Sequence, residues 1–125
     1  MSRFRKLTIM ALTGCLLFSS AAVLQAQSDA EIALKRARDA YQAERFDEAR
    51  RFAASASQTD RKNPDVWLLL GKSQFQLGEL DQALTSWRTL LKLAPNHEYA
   101  KRMVASLEGR VASADNRVRL AAVMV

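Results

Sequence analysis

Residues 64–97 read Pro-Asp-Val-Trp-Leu-Leu-Leu-Gly-Lys-Ser-Gln-Phe-Gln-Leu-Gly-Glu-Leu-Asp-Gln-Ala-Leu-Thr-Ser-Trp-Arg-Thr-Leu-Leu-Lys-Leu-Ala-Pro-Asn-His, and their punctuation decides the fold. Asn63 can cap a helix, Pro64 suits the first helical position, and Asp65 complements the helix dipole. This spacing predicts a helix to about Leu77, where Gly78 supplies a left-handed stop. Asp81 is expected to open a second helix to about Leu93, and Pro95 prevents its continuation. The unit is two short helices joined by a tight turn.

Shifted by 34 residues, Ala30–Asn63 lies over Pro64–His97 without a gap. Leu34 meets Leu68, Gln42 meets Gln76, Asp47 meets Asp81, and Ala49 meets Ala83. Arg38 meets Lys72, Tyr41 meets Phe75, and Phe46 meets Leu80. These pairs recur at helical intervals. The first copy is expected to form helices over about Ala30–Ala43 and Asp47–Ser57, with Ser28 and Glu31 spaced as a capping box. One such hairpin cannot bury its apolar stripe alone, and stacked hairpins cover one another. Small residues at Ala37, Ala49, Gly71 and Ala83 let helices cross closely, and Trp67 and Trp87 fill the gaps between them. The expected fold is all-α, a short superhelical stack of about five antiparallel helices preceded by a hydrophobic N-terminal helix.

The second unit resembles the tetratricopeptide repeat, at Trp67, Leu70, Gly71, Gly78, Leu80, Ala83, Trp87 and Pro95. It departs from the family where an aromatic is usual and Gln74 stands instead. The first unit, 30–63, is a degenerate copy that keeps Ala37, Phe46, Ala49 and Ala56. Glu44 replaces its turn glycine. Residues 98–110 then read as a capping helix, with Tyr99, Met103 and Leu107 on one stripe. The tail 111–125 is open between strand and helix, with a break suggested by Ser113, Asp115 and Asn116. Two repeats and a cap make a short stack, so self-association into a homo-oligomer is a further reading.

The resemblance also implies a site. In this family the first helices of successive repeats line a concave groove. Carried over residue by residue, that groove takes Leu34, Arg38, Tyr41 and Gln42 from the first unit. The second gives Leu68, Lys72, Phe75 and Gln76, and the cap adds Tyr99 and Arg102. Glu31 and Asp65 begin the two rows. Aromatics give contact area, and Arg or Lys can pair with a carboxylate. The implied partner is a protein or peptide segment with acidic side chains or a C-terminal carboxylate. A plainer reading leaves the apolar members packed inside the stack and the cations solvated.

The N-terminus carries a different message. Arg3, Arg5 and Lys6 precede an apolar stretch from Leu7 to Leu24, followed by small residues. This reads as a secretory signal over residues 1–26, cleaved after Ala26 or after Ala22. Leu12-Thr13-Gly14-Cys15 also resembles a lipobox, which would make Cys15 a lipidation site, and an uncleaved anchor is a third reading. The expected location is the periplasm of a bacterial envelope, or its membrane through this segment alone.

Chemistry is sparse. His97 is the single histidine and Cys15 the single cysteine, so the sequence offers no thiol cluster or second histidine for a metal, and no triad assembles convincingly with His97. No phosphate-binding glycine loop appears. The formal charge is +6, but without Arg3, Arg5 and Lys6 there remain 16 basic residues against 13 acidic. Their signs alternate, so nucleic-acid binding is not indicated. No enzyme activity and no cofactor are expected.

Overall fold

The computed structural model describes the backbone of residues 2–124 and the side chains of residues 21–124. Five helices follow one another: α1 (Ser2–Gln42), α2 (Phe46–Thr59), α3 (Pro64–Gln76), α4 (Leu80–Leu93) and α5 (Glu98–Val123). Each packs against its predecessor through a short turn, and α1 also touches α3. Hairpin α1–α2 therefore lies against hairpin α3–α4, and α5 closes the row.

The capping box at Ser28 and Glu31 does not form. Helix α1 runs straight through it, so the N-terminal helix and the first repeat helix are one. Gln25, Ala26, Gln27, Ala30 and Glu31 sustain a helix, and no proline or glycine lies there to stop it. Gln25 instead reaches Asp29 one turn on, at 3.4 Å.

The first hairpin closes on small residues. Ala30, Leu34, Ala37 and Ala40 of α1 are buried, as are Ala49, Ala53 and Ala56 of α2. Methyl-sized side chains at a crossing let two helices approach closely. In the turn between them, Arg45 N–H donates to the Ala40 carbonyl at 2.9 Å, and Glu44 takes a φ of 59°. Gly78 does the same in the second hairpin with a φ of 78°, and Glu79 N–H donates to Gln74 O at 2.9 Å. The two turns are copies, but Glu44 carries a Cβ in the left-handed region. Glu44→Gly is therefore expected to stabilise the protein by about 1 kcal/mol after the greater freedom of glycine in the unfolded chain is offset. A thermal melt checks this; a lowered midpoint would contradict it.

Helix α3 begins as expected. The Asn63 side chain accepts from Asp65 N–H at 3.0 Å, with Pro64 at the first helical position. Helix α4 starts at Leu80, one residue before the expected Asp81. Trp87 is wholly buried with Leu84, Leu90, Ala100 and Leu107 in the second core cluster. The first cluster gathers Leu34, Ala53, Val66, Leu69 and Leu70. Trp67, half-buried, packs against both, and its Nε1–H donates to the Arg61 carbonyl at 2.8 Å. All four small crossing residues are buried. At Gly71 the reason is plain, since a Cβ there would lie 2.7 Å from Trp87 Cδ1 and 2.8 Å from Cε2.

His97 opens α5, its Nδ1 accepting from Ala100 N–H at 3.2 Å. Leu107 is buried and Tyr99 and Met103 half-buried, so the capping stripe forms. The break expected after residue 110 does not occur. Ser113 Oγ donates back to Gly109 O at 2.8 Å, and Asp115 pairs with Arg119 at 3.4 Å. Polar residues that could end a helix here bond within it. Leu120, Val123 and Met124 are exposed rather than folded onto the cap.

Among the described residues no helix is long and apolar enough to cross a membrane. The Cys15 side chain and most of the proposed signal's side chains lie outside the described residues.

Candidate partner-binding face

Helices α1, α3 and α5 run in the same direction, because each is separated from the next by one antiparallel helix. Their adjoining surfaces bring several expected site residues together. Arg38 of α1 and Asp65, Leu68, Leu69 and Lys72 of α3 line a cleft of about 180 Å³. Lys72 Nζ stands 4.9 Å from the centre of the Tyr99 ring on α5, within reach of the ring's negative face. Cations from α1 and α3 and an aromatic from α5 thus border one surface.

The aromatics are held from behind. The Tyr99 ring meets Trp87 edge-on at 5.9 Å, and Phe75 tilts against the same indole at 5.8 Å. Tyr41 meets Phe46 edge-on at 5.3 Å. Burial, and secondarily the Tyr41 phenol, push the Tyr99 hydroxyl above the ordinary tyrosine range. Tyr99 therefore stays neutral, with its hydroxyl able to donate.

The electrostatics leave both cations accessible. Arg38 Nη2 lies 3.1 Å from Asp65 Oδ2, with side chains 52% and 62% exposed. A pair this wet is worth no more than about 1 kcal/mol, so a better acceptor can displace it. Among the described residues no carboxylate pairs with Lys72 or Arg102. Gln42, Gln76 and Arg102 are exposed.

One expected member does not belong. Leu34 is 6% exposed and sits in the first core cluster with Val66 and Leu69, so it supports the face without presenting surface to a partner. Its counterpart Leu68 is half-buried and lines the cleft. Leu69 lines the cleft as well and was not expected there. It stands four residues after Asp65 and three before Lys72, which is the sequence signal that could have found it. Among the described residues no group of three His, Cys, Asp or Glu side chains could hold a metal ion.

The tetratricopeptide repeat family profile matches residues 40–107, more than half of the chain. The chain belongs to the tetratricopeptide-repeat family. Among solved structures, it is similar to the first TPR of Spaghetti (RPAP3) bound to the HSP90 peptide SRMEEVD. That likeness has 20% sequence identity and a TM-score of 0.63, over 67% of this chain and 68% of that one. It shows a shared tetratricopeptide fold. No curated protein sequence matches the chain significantly.

Proposed function

We propose that this tetratricopeptide-repeat protein is a non-catalytic adaptor, two repeats and a capping helix, that holds an acidic segment of a partner protein. The segment lies along the face formed by α1, α3 and α5. The observation that carries the reading is the cleft that Arg38, Asp65, Leu68 and Lys72 line, with Lys72 also reaching the Tyr99 ring of α5. The cations pair with carboxylates, Leu68 and Phe75 offer an apolar shelf, and the exposed glutamines at the ends of α1 and α3 can bond a peptide backbone. A similar fold holding a peptide that ends Glu-Glu-Val-Asp supports the same chemistry here.

Fluorescence anisotropy with a panel of labelled acidic heptapeptides, each with a free or amidated C-terminus, tests this. Arg38→Glu combined with Lys72→Glu replaces two charge-assisted contacts by repulsion. It should weaken binding by about 100-fold or more, at roughly 1.5–3 kcal/mol per contact. Unchanged affinity in a double variant with a native circular dichroism spectrum would end the reading. Amidation lowers affinity only if the terminal carboxylate is what the cations hold.

Export to a bacterial periplasm is part of the proposal and rests on residues 1–26 alone. The intact mass of the processed protein checks it, and a species starting near Gln27 is expected.

A further inference from the structure

A second cleft, of about 340 Å³, lies on the other side of α3, between α3 and α4. Trp67, Leu70, Gln74, Asp81, Thr85 and Ser86 line it. Trp67, Leu70 and Gln74 share one face of α3, and at 100° per residue that face is turned well away from Leu68, Lys72 and Phe75. The cleft is separate from the acid-binding face and shares no lining residue with it.

The internal repeat shows what is unusual about its carboxylate. Asp47, at the equivalent place in the first hairpin, is neutralised by its own helix: Arg50 Nη2 lies at 2.7 Å and Arg51 Nε at 3.4 Å. The Arg50 hydrogen bond holds the Asp47 carboxyl below the usual carboxylate range. In the second hairpin, Leu84 and Thr85 replace those two arginines. Among the described residues no cation pairs with Asp81.

The walls are fixed in place. The Trp67 indole N–H is tied to the Arg61 carbonyl at 2.8 Å, and its ring packs against both core clusters. Ser86 Oγ donates to Gln74 Oε1 at 2.6 Å, which holds that amide. The cleft thus has an unneutralised carboxylate, a clamped tryptophan and an apolar side chain among its lining residues. Arginine carries a long apolar stem that can lie along a ring and an apolar side chain, and its guanidinium pairs in a fork with a carboxylate.

We infer that this cleft is a second recognition site, which takes the arginine side chain of a bound protein. Its guanidinium pairs with Asp81 and its stem lies against Trp67 and Leu70. The inference does not depend on the acidic-segment reading, because the two faces carry opposite charge and separate residues.

The test is a nuclear magnetic resonance titration of the full chain with acetyl-Gly-Arg-Gly-amide, read at the Trp67 indole N–H. The citrulline peptide, equal in shape but uncharged, is the control. Saturable shifts at Trp67 and Gln74 are expected with arginine, and at least fivefold weaker binding with citrulline. Asp81→Asn, an exposed isosteric change, should weaken arginine binding to the citrulline level. Gln74→Tyr should fill the cleft and abolish the shifts in a folded protein. Absence of saturable shifts, equal response to both peptides, or indifference to Asp81→Asn would overturn the inference.

Discussion

Trp87→Ala is expected to lower the unfolding free energy by about 3–5 kcal/mol. The indole is wholly buried and lies on Gly71, Phe75 and Tyr99 at once. Ala83 and Ala100 are too small to fill the space, so much of it is left as a cavity. The one offset is that the buried Trp87 Nε1–H has no hydrogen-bond partner, so its removal relieves a desolvation cost. Small domains are stable by only about 5–15 kcal/mol, so the loss is a large share of the total. Phe75 and Tyr99 lose their backing in the same step, and peptide affinity should fall with stability. Urea unfolding followed by circular dichroism measures the first effect. A loss under about 1 kcal/mol would mean that the indole is not the centre of the second cluster.

Gly71→Ala should also destabilise, by about 1–2 kcal/mol net, and here the sign is the test. In an open helix this substitution stabilises by about 1 kcal/mol through propensity alone. At this position the new methyl would overlap the Trp87 ring, and overpacking of a filled core costs about 1–3 kcal/mol, occasionally more. The two residues should therefore be coupled. In a double-mutant cycle, Gly71→Ala on a Trp87→Leu background should cost at least about 1 kcal/mol less than on the wild type. A Gly71→Ala variant that is as stable as wild type or more so would contradict the close approach of α3 and α4.

The stack was legible in the sequence because its turns are written in residues with narrow backbone preferences. Asn63, Pro64, Gly78 and Pro95 place the ends of α3 and α4 to within a residue or so. The 34-residue offset then locates the first hairpin, including the Glu44 turn that propensity alone would not have shown. The ends of the row were less legible. Ser28 has the chemistry of a cap, but a cap acts only where the chain departs from the helix, and nothing upstream makes it depart. Ser113 and Asp115 likewise turn their side chains into the helix they were expected to end.

The site was half legible, for a related reason. The ladders of Arg38 with Lys72 and Tyr41 with Phe75 follow from the repeat. Burial does not repeat with the sequence. Leu34 is covered by Val66 and Leu69 of the following hairpin, whereas Leu68 meets the narrower α5 cap and keeps exposed surface. The Arg38–Asp65 pair and the Lys72–Tyr99 contact join different helices, so no single-helix spacing shows them. The unneutralised Asp81 was visible as an aligned pair with Asp47, but its meaning needed the cleft beside it.

Backbone-amide chemical shifts of the labelled protein, recorded with and without a saturating acidic heptapeptide, test the adaptor account most directly. The largest changes are expected at Arg38, Tyr41, Leu68, Lys72, Phe75 and Tyr99, along one side of α1, α3 and the start of α5. Changes confined to α2 and α4, with those six unmoved, would contradict it.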